Sequence, residues 1–261
     1  MDMGLKGKKA AVSGSSQGIG YAIANALAQE GCDVTLCARG KDRLEQAVQD
    51  MEAHGVKAAG VVSDLGSEQG CKAFIDGAID ALGGIDILVN NVGGMIPGTL
   101  DSLGTEDWNR VLSVNLMAAV YTTKYAVPHL KKAGGGRILN VSGVSGKQLL
   151  PGSLTTTIPN AGIIGFSKVM AGELAPHGIT VNNICPGLTA TESWGPRAEA
   201  MAKVRGVTAD QVRQSIADQT LLGRWAEPAE IGDVAAFLVS AKNSYMTGTT
   251  VEVCGGFNRY I

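Results

Sequence analysis

Residues 9–13, K-A-A-V-S, form a short apolar run that leads into Gly14-Ser15-Ser16-Gln17-Gly18-Ile19-Gly20 and then into a segment of helical period. A strand, a glycine-rich turn and a helix in that order leave few architectures open. The glycines let the backbone turn sharply, and the helix start offers free N–H groups to an anion. The same alternation continues along the chain. Strands are expected at Lys9–Ser13, Asp33–Ala38, Ala58–Val62, Ile85–Val89, Arg137–Val141, Thr180–Ile184 and Thr250–Val253. Several are continuous apolar runs such as I-D-I-L-V, the pattern of strands covered on both faces. Helices are expected at Gly18–Glu30, around Leu44, Val48 and Met51, and at Glu68–Leu82, Glu106–Lys132, Leu154–Leu174 and Pro228–Val239. Repeated βα units imply an α/β protein with a parallel sheet, right-handed crossovers and helices on both faces.

Such a chain reads as one doubly wound, Rossmann-type domain over residues 1–261, with about seven strands and a dinucleotide site at the glycine turn. No internal repeat or Pro/Gly/Ser-rich linker divides it. The polar, helix-prone stretch Thr189–Arg224 interrupts the rhythm after the sixth strand. Its place at the carboxyl end of the sheet makes it a candidate substrate lid over residues 189–224, against the plainer reading of a surface helical hairpin.

The second strand ends Leu36-Cys37-Ala38-Arg39. An NAD site would put a carboxylate there for the ribose hydroxyls; Arg39 instead suits a 2′-phosphate, so NADP(H) is expected over NAD(H). The net charge of -2 argues against a broad nucleic-acid or anionic-membrane surface. No apolar run has the length of a membrane span, and the start M-D-M-G-L-K-G-K-K lacks a signal-peptide core, which makes a cytoplasmic location the default. The five cysteines are scattered without a C-x-x-C pair, so they read as small buried thiols, and the three histidines lie too far apart to suggest a metal site. No metal is expected.

Several motifs, in order, resemble those of the short-chain dehydrogenase/reductase family, over nearly the whole chain. The G-x-x-x-G-x-G loop (Gly14, Ser16, Gln17, Gly18, Ile19, Gly20) is similar to its cofactor loop. Asp64 and Leu65 in V-S-D-L look like the pair that contacts adenine. Asn90-Asn91-Val92-Gly93 is similar to N-N-A-G, and Asn115 in S-V-N-L matches a helix asparagine. Pro186 and Gly187, followed by Thr189 and Thr191, resemble the P-G-x-x-x-T motif beside the nicotinamide. The resemblance implies cofactor contacts at Gly14, Ser16, Gln17, Gly18, Ile19, Gly20, Arg39, Asp64, Leu65, Asn91, Gly93, Pro186, Gly187, Thr189 and Thr191. It also implies a homo-oligomer, a tetramer or a dimer, built on the long helices Glu106–Lys132 and Leu154–Leu174.

The family's chemistry uses a tyrosine, a lysine four residues later, a serine thirteen residues before the tyrosine, and the helix asparagine. With the register fixed by A-G-I-I-G-F-S-K, Thr156 falls at the tyrosine position, Asn160 at the lysine and Gly143 at the serine, with Ser142 beside it. Only Asn115 is retained, and no tyrosine lies between Tyr125 and Tyr245. A threonine hydroxyl ionises too weakly to replace a tuned phenol, and Asn160 carries no charge. Asn115, Ser142, Thr156 and Asn160 remain the positional catalytic candidates. Thr155, Lys147 and Glu192 are further polar candidates, with Met95 and Trp194 as apolar walls. Pro159 inside the expected helix should disturb its backbone. Three functions stay open: an NADP(H)-dependent oxidoreductase of a small carbonyl, alcohol or imine with an unusual proton supply; a redox-neutral isomerase, lyase or cyclase; or a non-catalytic NADP(H) sensor.

Overall fold

The computed structural model describes residues 2–148 and 152–258. Seven parallel strands form one sheet in the order β3-β2-β1-β4-β5-β6-β7. They are β1 (Lys9–Ser13), β2 (Asp33–Ala38), β3 (Ala58–Val62), β4 (Ile87–Asn90), β5 (Gly136–Val141), β6 (Ile179–Pro186) and β7 (Thr250–Val253). The helices between them are α1 (Gly18–Gln29), α2 (Lys41–Glu52), α3 (Glu68–Leu82), α4 (Thr105–Leu112), α5 (Ala118–Lys132), α6 (Leu154–Leu174), α7 (Trp194–Arg205), α8 (Ala209–Ala217) and α9 (Pro228–Val239).

Alternate residues of each strand serve opposite faces. Val12, Val34, Leu36, Val89, Leu139 and Ile184 meet Ile23 and Leu27 of α1 and Ile231 of α9 in one apolar cluster. Ala11, Cys37, Leu88, Ile138 and Val181 meet Phe74 and Ile75 of α3 and Leu130 of α5 in the other. Small residues set the layer spacing: a Cβ on Gly232 of α9 would stand 2.7 Å from the Ala22 carbonyl oxygen of α1. The strand order reverses between β1 and β4, so the loops after these two strands diverge and leave a crevice there.

Two expectations about helices are corrected. The segment expected as one helix at Glu106–Lys132 is α4 and α5 joined by a π-helical turn, Ser113–Met117. Pro159 does not break α6, which runs unbroken through it. As the sixth residue of the helix it removes one bond near the amino end. Tight packing holds the backbone: Gly146 lies so close that a Cβ there would be 2.8 Å from the Asn160 carbonyl carbon. Tertiary contact thus overrides the local penalty.

Candidate active site

The crevice at the strand reversal is a cleft of about 810 Å³. Its floor is the turn after β1. Gly14 has φ +62°, and a Cβ on it would lie 3.1 Å from Val92 Cα. Gly20 is tighter: its Cβ would fall 2.2 Å from the Gly14 carbonyl oxygen and 2.3 Å from Asn91 Nδ2. Asn91 is the clamp, donating from Nδ2 to the carbonyls of Ser13 (3.2 Å) and Gly14 (3.0 Å). The Ser13 hydroxyl in turn accepts from the N–H groups of Asn91 and Val92. Asn91 therefore joins the loops after β1 and β4 into one backbone cradle, narrow enough for a diphosphate to reach the start of α1. Gly18 and Ile19, which open α1, line the same cleft with Ser16 and Gln17.

One end of the cleft is basic. Arg39 after β2, and Lys41 and Arg43 in the first turn of α2, all line it, with Asp42 among them. The Arg43 guanidinium donates to Gln17 Oε1, and Lys41 Nζ lies 3.5 Å from Glu45. Among the described residues Arg39 has no ion pair. Two cations in a helix's first turn oppose the positive end of its dipole, which suits a site where an external anion completes the charge. Asp64 is tied to its own turn, its Oδ1 accepting from Gly66 N at 3.0 Å, and Leu65 is buried beside it; both line the cleft.

Asn115 lies in the π-helical turn. It accepts from Gly94 N (2.8 Å) and donates to Gly94 O (2.6 Å), which fixes the loop after β4 where Gly93 lies. A π turn moves one residue out of helical register, and here that residue's amide holds a cleft wall.

A family model described as enoyl-(acyl carrier protein) reductase matches residues 14–258. The 3-oxoacyl-(acyl-carrier-protein) reductase of Aquifex aeolicus is 34% identical over 257 residues, covering 98% of this chain and 99% of that protein. Human dehydrogenase/reductase SDR family member 4 is 33% identical over 254 residues, covering 97% of this chain and 88% of the human protein. The L-sorbose reductase of Gluconobacter frateurii, solved with NADPH and L-sorbose, is 34% identical with a TM-score of 0.97 and full coverage of both chains. An actinorhodin polyketide ketoreductase solved with NADPH gives 31% identity and a TM-score of 0.93, over 97% of this chain and 98% of that one.

The chain belongs to the short-chain dehydrogenase/reductase family of NAD(P)-dependent oxidoreductases.

In this short-chain dehydrogenase/reductase some of the remaining sequence candidates line the cleft and others, Ser142, Thr156 and Asn160 among them, are not part of its lining. Thr191, Glu192 and Met95 line the cleft. Pro186, Gly187 and Thr189 build the wall behind it: Pro186 ends β6, Gly187 backs onto Cys254, and buried Thr189 Oγ1 donates to the Gly187 carbonyl at 3.4 Å. Ser142 turns into the sheet. Its hydroxyl accepts from Asn183 Nδ2 and lies 2.9 Å from Cys185 Sγ.

Beyond β5 a 3-10 turn, Val144–Gly146, lies against α6. There Asn160 Nδ2 donates to Ser145 Oγ at 2.9 Å. A Cβ on Gly143 would stand 2.9 Å from the same nitrogen. Thr156 Oγ1 donates back to Ser153 O at 3.0 Å, and buried Thr155 donates to Ile96 O at 2.8 Å, tying α6 to the loop after β4. Lys147 is held by Glu252, whose hydrogen bond raises the lysine's pKa. Trp194 packs edge-to-face on Trp225, ring centroids 4.7 Å apart, inside the segment expected as a lid.

Lys41, Arg43 and Arg197, which line the cleft, and Ser145, which meets Asn160, were not among the residues expected from sequence. The string R-G-K-D-R signals the first two, since three cations in five residues follow the strand that ends at the adenosine side. Ser145 and Arg197 carry no such signal, because their place depends on the fold.

Of the buried thiols, Cys32, Cys37 and Cys71 have pKa values pushed up by burial to about 12. They are packing groups, not nucleophiles.

Proposed function

We propose that this protein is an NADP(H)-dependent oxidoreductase of a small organic carbonyl, alcohol or imine that works without a tyrosine–lysine proton supply. The observation that carries the cofactor choice is the group Arg39, Lys41 and Arg43 at one end of the cleft, beside Ala38 where a carboxylate would reject a 2′-phosphate. The glycine cradle fits the diphosphate, since any Cβ on Gly14 or Gly20 would fill it. Gln17, Asp64, Leu65, Asn91 and Gly93 would hold the rest of the nucleotide, with Thr191 across the cleft and Pro186, Gly187 and Thr189 supporting that wall. When bound, the nicotinamide supplies or takes up a hydride.

The chain's own task is then to position the substrate and to manage one proton. Asn160 donates to Ser145, so the Ser145 hydroxyl keeps its own proton to offer to a nearby oxygen. The Thr156 proton is committed to Ser153 O, and Asn115 holds the Gly94 backbone. None of these groups titrates between pH 6 and 9, so a solvent proton passes through neutral hydrogen-bonding groups. The residue set also fits a redox-neutral enzyme, but the basic end of the cleft favours a nicotinamide phosphate as reactant. The exposed side of α6, with Ile158, Ala161, Gly165 and Val169, is our candidate for self-association; sedimentation velocity reads this directly, and a strictly monomeric protein would remove it.

Calorimetry with NADPH and NADH tests the reading first. NADPH is expected to bind more tightly, and Arg39→Ala to weaken NADPH by roughly 10- to 100-fold, the range of one lost charge-assisted hydrogen-bond set, with NADH unchanged. A variant that weakens both nucleotides equally removes Arg39 as the phosphate reader. If neither nucleotide binds the native protein, the oxidoreductase reading falls.

A further inference from the structure

At the lid side of the cleft one cation has no assigned task. Arg197 lies in the first turn of α7, half-buried, and lines the cleft with Ser193. Its guanidinium stacks on Trp194, 5.5 Å from the ring centroid. Trp194 is fixed by Trp225, whose Nε1 donates to Arg213 O at 3.1 Å. At the base of the same segment Arg224 makes two 2.7 Å bonds to Glu230. The arginine is therefore preorganised on a rigid aromatic arm, which removes much of the entropy of ordering a long side chain on binding. Among the described residues no carboxylate lies within ion-pair distance of it, Glu192 included. The first turn of α7 contains no acidic residue either. A half-buried guanidinium without a carboxylate partner, at the positive end of a helix dipole, favours an anion beside it.

We propose that Arg197, with the Ser193 hydroxyl, binds a carboxylate on the substrate, so that the substrates of this site are oxo acids or hydroxy acids with a short apolar body. This rests on the oxidoreductase reading above. The apolar body would lie along Met95 and Ile96, which line the cleft from the loop after β4. The diphosphate does not need this arginine, because the cradle and the start of α1 already serve it. Glu192 stands on that side: its Oε2 is 3.8 Å from where a Cβ on Gly18 would be. Ser193 Oγ lies 2.9 Å from Thr191 Oγ1, so the hydroxyl pair retains one donor for the carboxylate.

The test uses the tryptophan emission of the full chain saturated with NADP+, because Trp194 touches the arginine. Pyruvate, 2-oxobutanoate and 4-oxopentanoate are titrated beside their methyl esters. At least one acid is expected to give a saturable change, and its ester to bind about tenfold more weakly. Arg197→Leu should abolish that preference and Arg197→Lys should keep part of it, while NADPH affinity from calorimetry stays within about twofold. Equal binding of acid and ester, or no saturable response to any of the three acids, overturns the proposal. So does a variant whose main loss is NADPH affinity, which would assign Arg197 to the cofactor. Because nucleotide affinity is measured separately, failure here is distinct from failure of the oxidoreductase reading.

Discussion

Two glycines, Gly20 in the cleft and Gly143 before the 3-10 turn that packs on α6, are constrained in different ways. Gly20 faces backbone: a Cβ there meets the Gly14 carbonyl oxygen at 2.2 Å and the Asn91 clamp at 2.3 Å. Gly143 faces a side chain, with the nearest contact the Asn160 amide at 2.9 Å. At Gly20 the nearest atom is therefore main chain, pinned by the Asn91 side chain, and it cannot give way without moving the loops after β1 and β4. At Gly143 the nearest atom belongs to a replaceable side chain, although Gly146, three residues on, meets the α6 main chain. A nucleotide cradle built of backbone keeps its geometry while its neighbours change, whereas a catalytic set built of side chains can be altered residue by residue. On the function proposed above, this contrast lets a main-chain nucleotide cradle stand beside Gly143, Thr156 and Asn160.

The strongest attempt to break this contrast is Gly20→Ala. The added methyl meets a main-chain carbonyl and a side-chain amide already held by two hydrogen bonds, so the loops after β1 and β4 must separate. A loss of about 3 kcal/mol of folding stability is expected, the upper part of the overpacking range, together with loss of NADPH binding. Urea denaturation and nucleotide calorimetry read the two effects. A variant with native stability would show that the cradle yields as easily as a side chain, and the distinction between the two ends would disappear.

Gly143→Ser probes the other end. Here the new side chain pushes only on the Asn160 amide, so a loss of about 1 kcal/mol is expected. Asn160→Ala in the same chain should erase most of that loss, because the two positions share one space and their effects are not additive. Thermodynamic cycles from denaturant unfolding supply the comparison. Additive effects would mean that the strain lies in the backbone of the 3-10 turn, making Gly143 resemble Gly20 after all.

The two ends also differed in how far the sequence could be read. The bounds of β1 and β2 follow from the apolar runs, since burial on both faces leaves a local mark; those of β3 and β7, the half-buried edge strands, follow from short runs rich in Val and Thr between turn residues. The cradle was legible for the same reason: strand, glycines and helix are adjacent in the chain. The π turn was not, because nothing in S-V-N-L-M marks an inserted residue; it exists where Asn115 bonds to Gly94, 21 positions away. Arg43 against Gln17, 26 positions apart, is likewise a tertiary fact. Ser142 and Ser145 show the limit most sharply. Sequence position favoured Ser142, next to the expected serine site, yet the strand turns it toward Asn183 and Cys185. The 3-10 turn that follows presents Ser145 to Asn160 instead.

The smallest effect concerns what fastens the 3-10 turn after β5 to the edge of the sheet. Lys147, just past the 3-10 turn, pairs with Glu252 of β7. Burial pushes the Glu252 pKa up, but hydrogen bonds from Lys147 and Asn258 outweigh it and the net shift is downward. The Lys147 pKa is raised, chiefly by its bond to Glu252. A depressed carboxylate stabilises the fold above its unfolded pKa of about 4.3, and that contribution is lost as pH falls through the lower folded value. A raised lysine stabilises below about 10.4, and its contribution is lost as pH rises through the higher folded value. Lys147→Met should therefore lower stability by a constant amount across the neutral range, with the gap to the native protein closing at both extremes. Lys147 is substantially exposed, so the plateau should stay below about 1 kcal/mol once solvent screening is counted. Urea unfolding from pH 3 to 11 measures it. A gap that widens toward acid would mean that the lysine acts through some other group, and that the β5 end is held by packing alone.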